Sequence, residues 1–167
     1  RRVVWMGLGL GANACMLAAA AATPAPLRLL LCDPVLDGRG YLERLRQRHV
    51  AILDEELATS ALSRARETGQ RDAQAYRDEA LGVALAPALR RAVAETDWLA
   101  ALAALPVGAT VLLDPARAAA PEPGIGQARC LSAAESVDWL SDLPEDGTLL
   151  PGKLAAQMTK ELAHACA

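Results

Sequence analysis

The sequence predicts an α/β fold: a parallel sheet of about four strands, helices on both faces, and a helical insertion. Three observations predict it. An apolar run, Val3 to Met6, breaks into Gly7, Gly9 and Gly11 and continues as an alanine-rich segment to Ala22, which reads as strand, tight turn, helix. Two later apolar runs end alike, Leu29 to Cys32 at Asp33-Pro34 and Val111 to Leu113 at Asp114-Pro115. Continuous apolar runs, unlike alternating ones, mark strands covered on both faces.

Taken in order, Val3 to Met6 is the first strand and Asn13 to Ala22 the helix after it, ended by Thr23-Pro24-Ala25-Pro26. Leu27 to Cys32 is too short for a helix and gives the second strand, so the first three elements make a right-handed βαβ unit. Asp37-Gly38 is a turn. From Tyr41 to about Leu57, apolar Leu42, Leu45, Ile52, Leu53 and Leu57 recur among charges, the pattern of one or two amphipathic helices. Residues 58 to 78 are polar and read as a helical excursion outside the sheet.

Leu81 to Pro87 reads as a short connector, with Pro87 opening a helix that runs to about Ala104. Gly108 to Asp114 is the third strand. Ala118 to Gly126, rich in Pro and Gly, is a loop. Ser132 to Leu140 reads as a helix with Ser132 as N-cap and Glu135 at the capping-box position. Gly147 to Leu150 is then the fourth strand, and Lys153 to Ala165 the closing helix, with Leu154, Met158 and Leu162 inward.

Bulk properties narrow the function. The 167 residues suit one domain, and 53% hydrophobic with 3% aromatic residues and no Phe means a core of Leu, Val and Ala. A net charge of −3 supplies no broad basic face for nucleic acid or an acidic membrane surface. Cys15, Cys32, Cys130 and Cys166 are scattered, with neither metal-ligand spacing nor a disulfide framework, and fit reduced thiols in a cytoplasmic protein. Residues 3 to 22 are uncharged and mimic a signal peptide or membrane span, but three glycines within five residues weaken a helix there, so no span is expected. The chain starts without Met and directly at a strand, as a fragment would.

The glycine turn admits two chemistries. Gly7-x-Gly9-x-x-Ala12, with Asp33 ending the next strand, fits a dinucleotide fingerprint in which NAD(P) lays its pyrophosphate on the helix N-terminus and Asp33 accepts from ribose hydroxyls. The same turn fits a nucleophile elbow, with Gly7 and Gly11 as the small residues and Gly9 at the nucleophile position.

The stretch Leu29-Leu30-Leu31-Cys32-Asp33-Pro34-Val35-Leu36-Asp37-Gly38-Arg39-Gly40-Tyr41-Leu42-Glu43-Arg44-Leu45 resembles the strand and loop after the elbow helix in α/β-hydrolases associated with exosortase systems, type 2. The similarity continues over Glu79 to Leu89 and, more weakly, at Pro151-Gly152 and Gln157. The resemblance implies that the four strands are the fifth to eighth of a hydrolase sheet and that 43–104 holds a cap. It also implies an ancestral ester or thioester hydrolysis with a small acyl ester as partner. Asp114 then stands at the acid position, Asp33 is a second candidate acid, and the Leu10 and Gly11 amides are candidate oxyanion donors.

The catalytic set does not close. Gly9 has no side chain to attack with, and the only histidines, His49 and His164, fall on the cap-like helix and the last helix, where surface positions are expected. The predicted protein is a degenerate hydrolase-like domain, with a NAD(P)-binding module and a non-catalytic interaction domain as the competing classes. The apolar Val3 to Met6 strand is expected to seek a second copy of the chain or a missing N-terminal segment.

Overall fold

The structure, a computed structural model, describes residues 3–57, 78–81, 83–118, 128–140 and 151–166. Two compact units divide it: Arg1–Leu36 with Asp97–Ala167, and the inserted Asp37–Thr96.

The first unit holds the sheet. Its strands are β1 (Val4–Leu8), β2 (Arg28–Cys32), β5 (Ala109–Leu113) and β6 (Arg129–Ser132), in the order β1-β2-β5-β6 and all parallel. The predicted α/β class with a four-stranded parallel sheet is therefore what the chain adopts.

Both faces are covered, and the alternation of β2 shows how. Leu29 and Leu31 join Val111 and Leu113 of β5 on one face, under Ala12, Met16 and Ala19 of α1 (Leu10–Ala21) and Trp98 and Leu102 of the short helix Trp98–Ala103. Leu30, Cys32 and Leu112 face the other way, onto Leu154 and Met158 of the closing helix Gly152–Cys166. Each such leucine stabilises the fold by roughly 1.5–3 kcal/mol through burial. Truncating fully buried Leu31 to Ala would cost about 2–5 kcal/mol.

α1 begins at Leu10, three residues earlier than its expected start at Asn13. Asn13 instead serves the interior: buried in α1, it donates from Nδ2 to the Val35 carbonyl at 2.7 Å and accepts the Val35 N–H at 2.9 Å. One amide thus satisfies both backbone groups of the loop that leaves β2.

The fourth strand of the described sheet is β6, where no strand was expected. Ser132 ends β6 rather than capping a helix, and 133–140 is irregular. The exposed ladder of β5 explains this, since its C-terminal groups need a partner and Ala133 N–H extends the pairing to the Leu113 carbonyl at 2.7 Å. Glu135 caps a different helix: its carboxylate accepts the Lys153 N–H at 3.1 Å at the start of the closing helix. Gly147 to Leu150 lies outside the described residues, as do most of the polar excursion 58–78 and of the loop 118–126.

The inserted unit contains α2 (Gly38–Leu57), a hairpin of β3 (Glu79–Ala80) and β4 (Val83–Ala84), and α3 (Pro87–Glu95). The expected helix from Pro87 to Ala104 is interrupted. Thr96 turns to extended backbone, and Asp97 caps the Trp98–Ala103 helix, now α4, by accepting the Ala100 N–H at 2.9 Å. Trp98 and Leu102, inside the stretch 43–104 read as the insertion, lie in the core of the sheet unit. The connector at Leu81 holds a hairpin because Leu81 takes a left-handed φ of 51° and its N–H donates to His49 Nδ1 at 3.1 Å. His49 is buried rather than surface-exposed, and the hairpin explains why. Pro115–Ala118 forms the short α5 and the closing helix is α6. Among the described residues no helix is long and apolar enough to cross a membrane.

Candidate functional site

The C-terminal ends of β1, β2 and β5 bring three of the predicted residues to one side of the sheet. Gly9 joins β1 to α1 with φ 50° and ψ −127°, a backbone that glycine adopts without the steric cost of a Cβ. Its N–H donates to the Cys32 carbonyl at 2.9 Å and its carbonyl accepts the Ala12 N–H at 3.0 Å. Gly7 is required for another reason: a Cβ there would stand 2.5 Å from the Ala12 Cα, so the strand passes directly against the helix. Gly11 faces open space, and smallness there is not imposed by packing. The Leu10 and Gly11 amides lie in the first turn of α1, where the helix dipole favours an anion.

The space in front of Gly9 is filled. A Cβ built on Gly9 would lie 3.4 Å from the Trp139 indole. Trp139 Nε1 donates to Asp33 Oδ2 at 3.0 Å, while Arg117 Nη1 donates to Asp33 Oδ1 at 3.2 Å and to the Pro34 carbonyl at 3.4 Å. Asp33 itself is held in a left-handed conformation, φ 45°, with its N–H on the Leu112 carbonyl at 2.7 Å. Both carboxylate oxygens are thus committed to donors from outside β2.

Asp114 caps α5, accepting the Ala116 N–H at 2.8 Å, and its second oxygen accepts the Ser136 hydroxyl. The capping was legible in Asp-Pro; Ser136 was not, because 133–140 was read as helix. Gln157 of α6 fixes that segment, donating to the Ser132 carbonyl at 2.9 Å and accepting the Ala134 N–H at 2.7 Å.

Burial, reinforced by the charge of neighbouring Asp33, pushes the Cys32 thiol up to about 11, so it is a protonated core residue and not a thiolate nucleophile. Cys15 is also raised by burial and its thiol contacts the Met6 carbonyl at 3.5 Å. His164 is exposed near the end of α6, its Nδ1 2.9 Å from the Lys160 carbonyl. The site therefore assembles the turn glycine Gly9, two acids already hydrogen-bonded, and a tryptophan and a serine that sequence reasoning missed. Among the described residues no three His, Cys, Asp or Glu side chains are grouped to hold a metal. No family model, curated protein or solved structure matches the chain.

Proposed function

We propose that the chain is a degenerate α/β-hydrolase-like domain whose ancestral activity was ester or thioester hydrolysis and which no longer turns over substrate. Gly9 carries the reading. Its φ of 50° and ψ of −127°, at a sharp strand-to-helix turn, match the strained conformation a nucleophile elbow imposes, yet the position bears no side chain and the Trp139 indole lies within contact distance, 3.4 Å, of where a Cβ would stand. Asp114, after β5, stands at the acid position of the family the sequence resembles; its partner is the Ser136 hydroxyl in place of an imidazole.

The dinucleotide reading draws support from Gly7, Gly9, Ala12 and Asp33 at the ends of adjacent strands. Among the described residues the strand order β1-β2-β5-β6 advances in one direction and gives no topological switch point at β1, where a dinucleotide crevice would open. Asp33 is also already occupied. NAD(P) is therefore the second choice.

A non-catalytic role in protein association fits the β1 edge, described in the Discussion, with a second copy or an N-terminal segment as occupant. Cys15 and Cys32 are free thiols, which suits a cytoplasmic setting. Three measurements on the purified chain separate the classes: p-nitrophenyl ester turnover, fluorophosphonate labelling and thermal shift with NAD(P). The proposal expects all three to be null; ester turnover above buffer would overturn it, and stabilisation by NAD(P) would install the second reading.

A further inference from the structure

The inserted unit has a cavity of its own, about 650 Å³, between α2, the β3–β4 hairpin and α3. Its size falls in the range of small-molecule sites, roughly 300–1,000 Å³. Its lining includes apolar Leu42, Ala80 and Leu85 and four arginines, Arg39, Arg46, Arg90 and Arg91.

These arginines differ in what they already hold. Arg46 is paired with Glu43, by two hydrogen bonds of 2.7 and 3.0 Å. Arg39 makes only a 3.4 Å contact from Nε to the Ala94 carbonyl. Arg91 has no ion pair among the described residues. Arg90 gives Nη2 to exposed Asp78 at 2.5 Å, but its Nε–H is buried and has no acceptor. A buried donor without an acceptor costs about 1–3 kcal/mol, so a shift of the Arg90 side chain that brings this N–H to a ligand oxygen in the cavity is favoured. Glu43, Glu79 and Glu95 also line the cavity, so four arginines face three carboxylates and one further negative charge, not two, completes the balance.

We infer that this cavity binds an amphipathic monocarboxylate, its carboxylate on Arg90 and Arg91 and its apolar body against Leu42, Ala80 and Leu85. Planar carboxylates match guanidinium groups by paired N–H donors. The inference goes beyond the degenerate-hydrolase reading and does not use Gly9 or Asp114.

Calorimetric titration of the full chain with octanoate, octanol and suberate tests it. Octanoate is expected to bind roughly tenfold or more tightly than either, the size of a charge-assisted hydrogen bond lost or a second charge repelled. Arg91→Ala, at an exposed helix position, and Arg90→Lys, which keeps the charge facing Asp78 but loses the Nε–H, are each expected to weaken octanoate about tenfold with an unchanged melting temperature. Equal affinity for octanol, equal affinity for suberate, no octanoate binding, or undiminished binding in both variants would each overturn it.

Discussion

Trp139 and Asp33 meet across 106 residues of sequence, the indole N–H on the carboxylate at 3.0 Å. The contact ties the irregular 133–140 segment to the end of β2 and sets the ring over Gly9. Trp139→Phe keeps an aromatic ring there and removes the donor, leaving Arg117 as the side-chain donor to Asp33. It is expected to lower stability by about 1 kcal/mol, and Trp139→Ala by more, since the packing over Gly9 goes as well. Urea denaturation of the two variants checks the order; equal losses would show that the hydrogen bond decides nothing.

Gly9 should resist every side chain. Gly9→Ala and Gly9→Ser both force a Cβ into the left-handed region and against the indole, and each is expected to cost about 1–2 kcal/mol. Serine should bring no esterase turnover, because Nδ1 of each histidine is placed elsewhere, His49 on the Leu81 N–H and His164 beside the Lys160 carbonyl. Thermal melts and a p-nitrophenyl acetate assay read both effects, and turnover by Gly9→Ser would show that a base serves it.

Cys32 gives a pH dependence with a defined sign. Its thiol is raised by burial and by Asp33 from 9.0 to about 11, so the folded chain holds this proton more tightly than the unfolded chain. Its contribution is fully present below pH 9 and is lost as pH rises towards 11. Stability should fall across that interval, and Cys32→Val should flatten this part of the curve, as measured by denaturant midpoints at successive pH values. Native Cys32 should also resist alkylation at pH 8.

Among the described residues β1 is an edge strand of the sheet, and it predicts association. Val3 accepts from Leu27 and Gly9 donates to Cys32, so the odd residues of β1 face β2 and the N–H and C=O groups of Val4, Met6 and Leu8 point away from it. Val3, Met6, Leu17 and Leu27 are exposed beside this edge, and α1 carries no charged residue. Light scattering should find dimers or larger species, and Met6→Lys should dissociate them without lowering the melting temperature. A monodisperse monomer of the unmodified chain would contradict this.

The legible parts of the fold were those whose residues state one environment. Leu29 to Cys32 and Val111 to Leu113 are apolar on every position and too short for a helix, the pattern of a strand buried on both faces. Ser132 to Glu135 misled because a capping box is local and Arg129 to Leu131 is too short to announce a strand; the unmet ladder of β5, invisible in sequence, decided it. Thr96-Asp97 carried a genuine capping signal that the longer apolar stripe overrode. At the site, Gly9, Asp33 and Asp114 were legible as turn residues after strands. Trp139 and Ser136 were not, because their role depends on where an irregular segment returns, which no periodicity encodes.

Between Leu140 and Pro151 the two sides are joined by more than the peptide chain. Glu135 holds the Lys153 amide in the first turn of α6, Gln157 holds the backbone at Ser132 and Ala134, and Leu154 and Met158 sit in the core with Leu30 and Leu112. α6 is in effect a ligand of the rest of the sheet unit, tethered at high local concentration. A protein cut by protease between 140 and 151 should therefore keep its tail through gel filtration, and a peptide of residues 151–167 should complement a chain ending at 140.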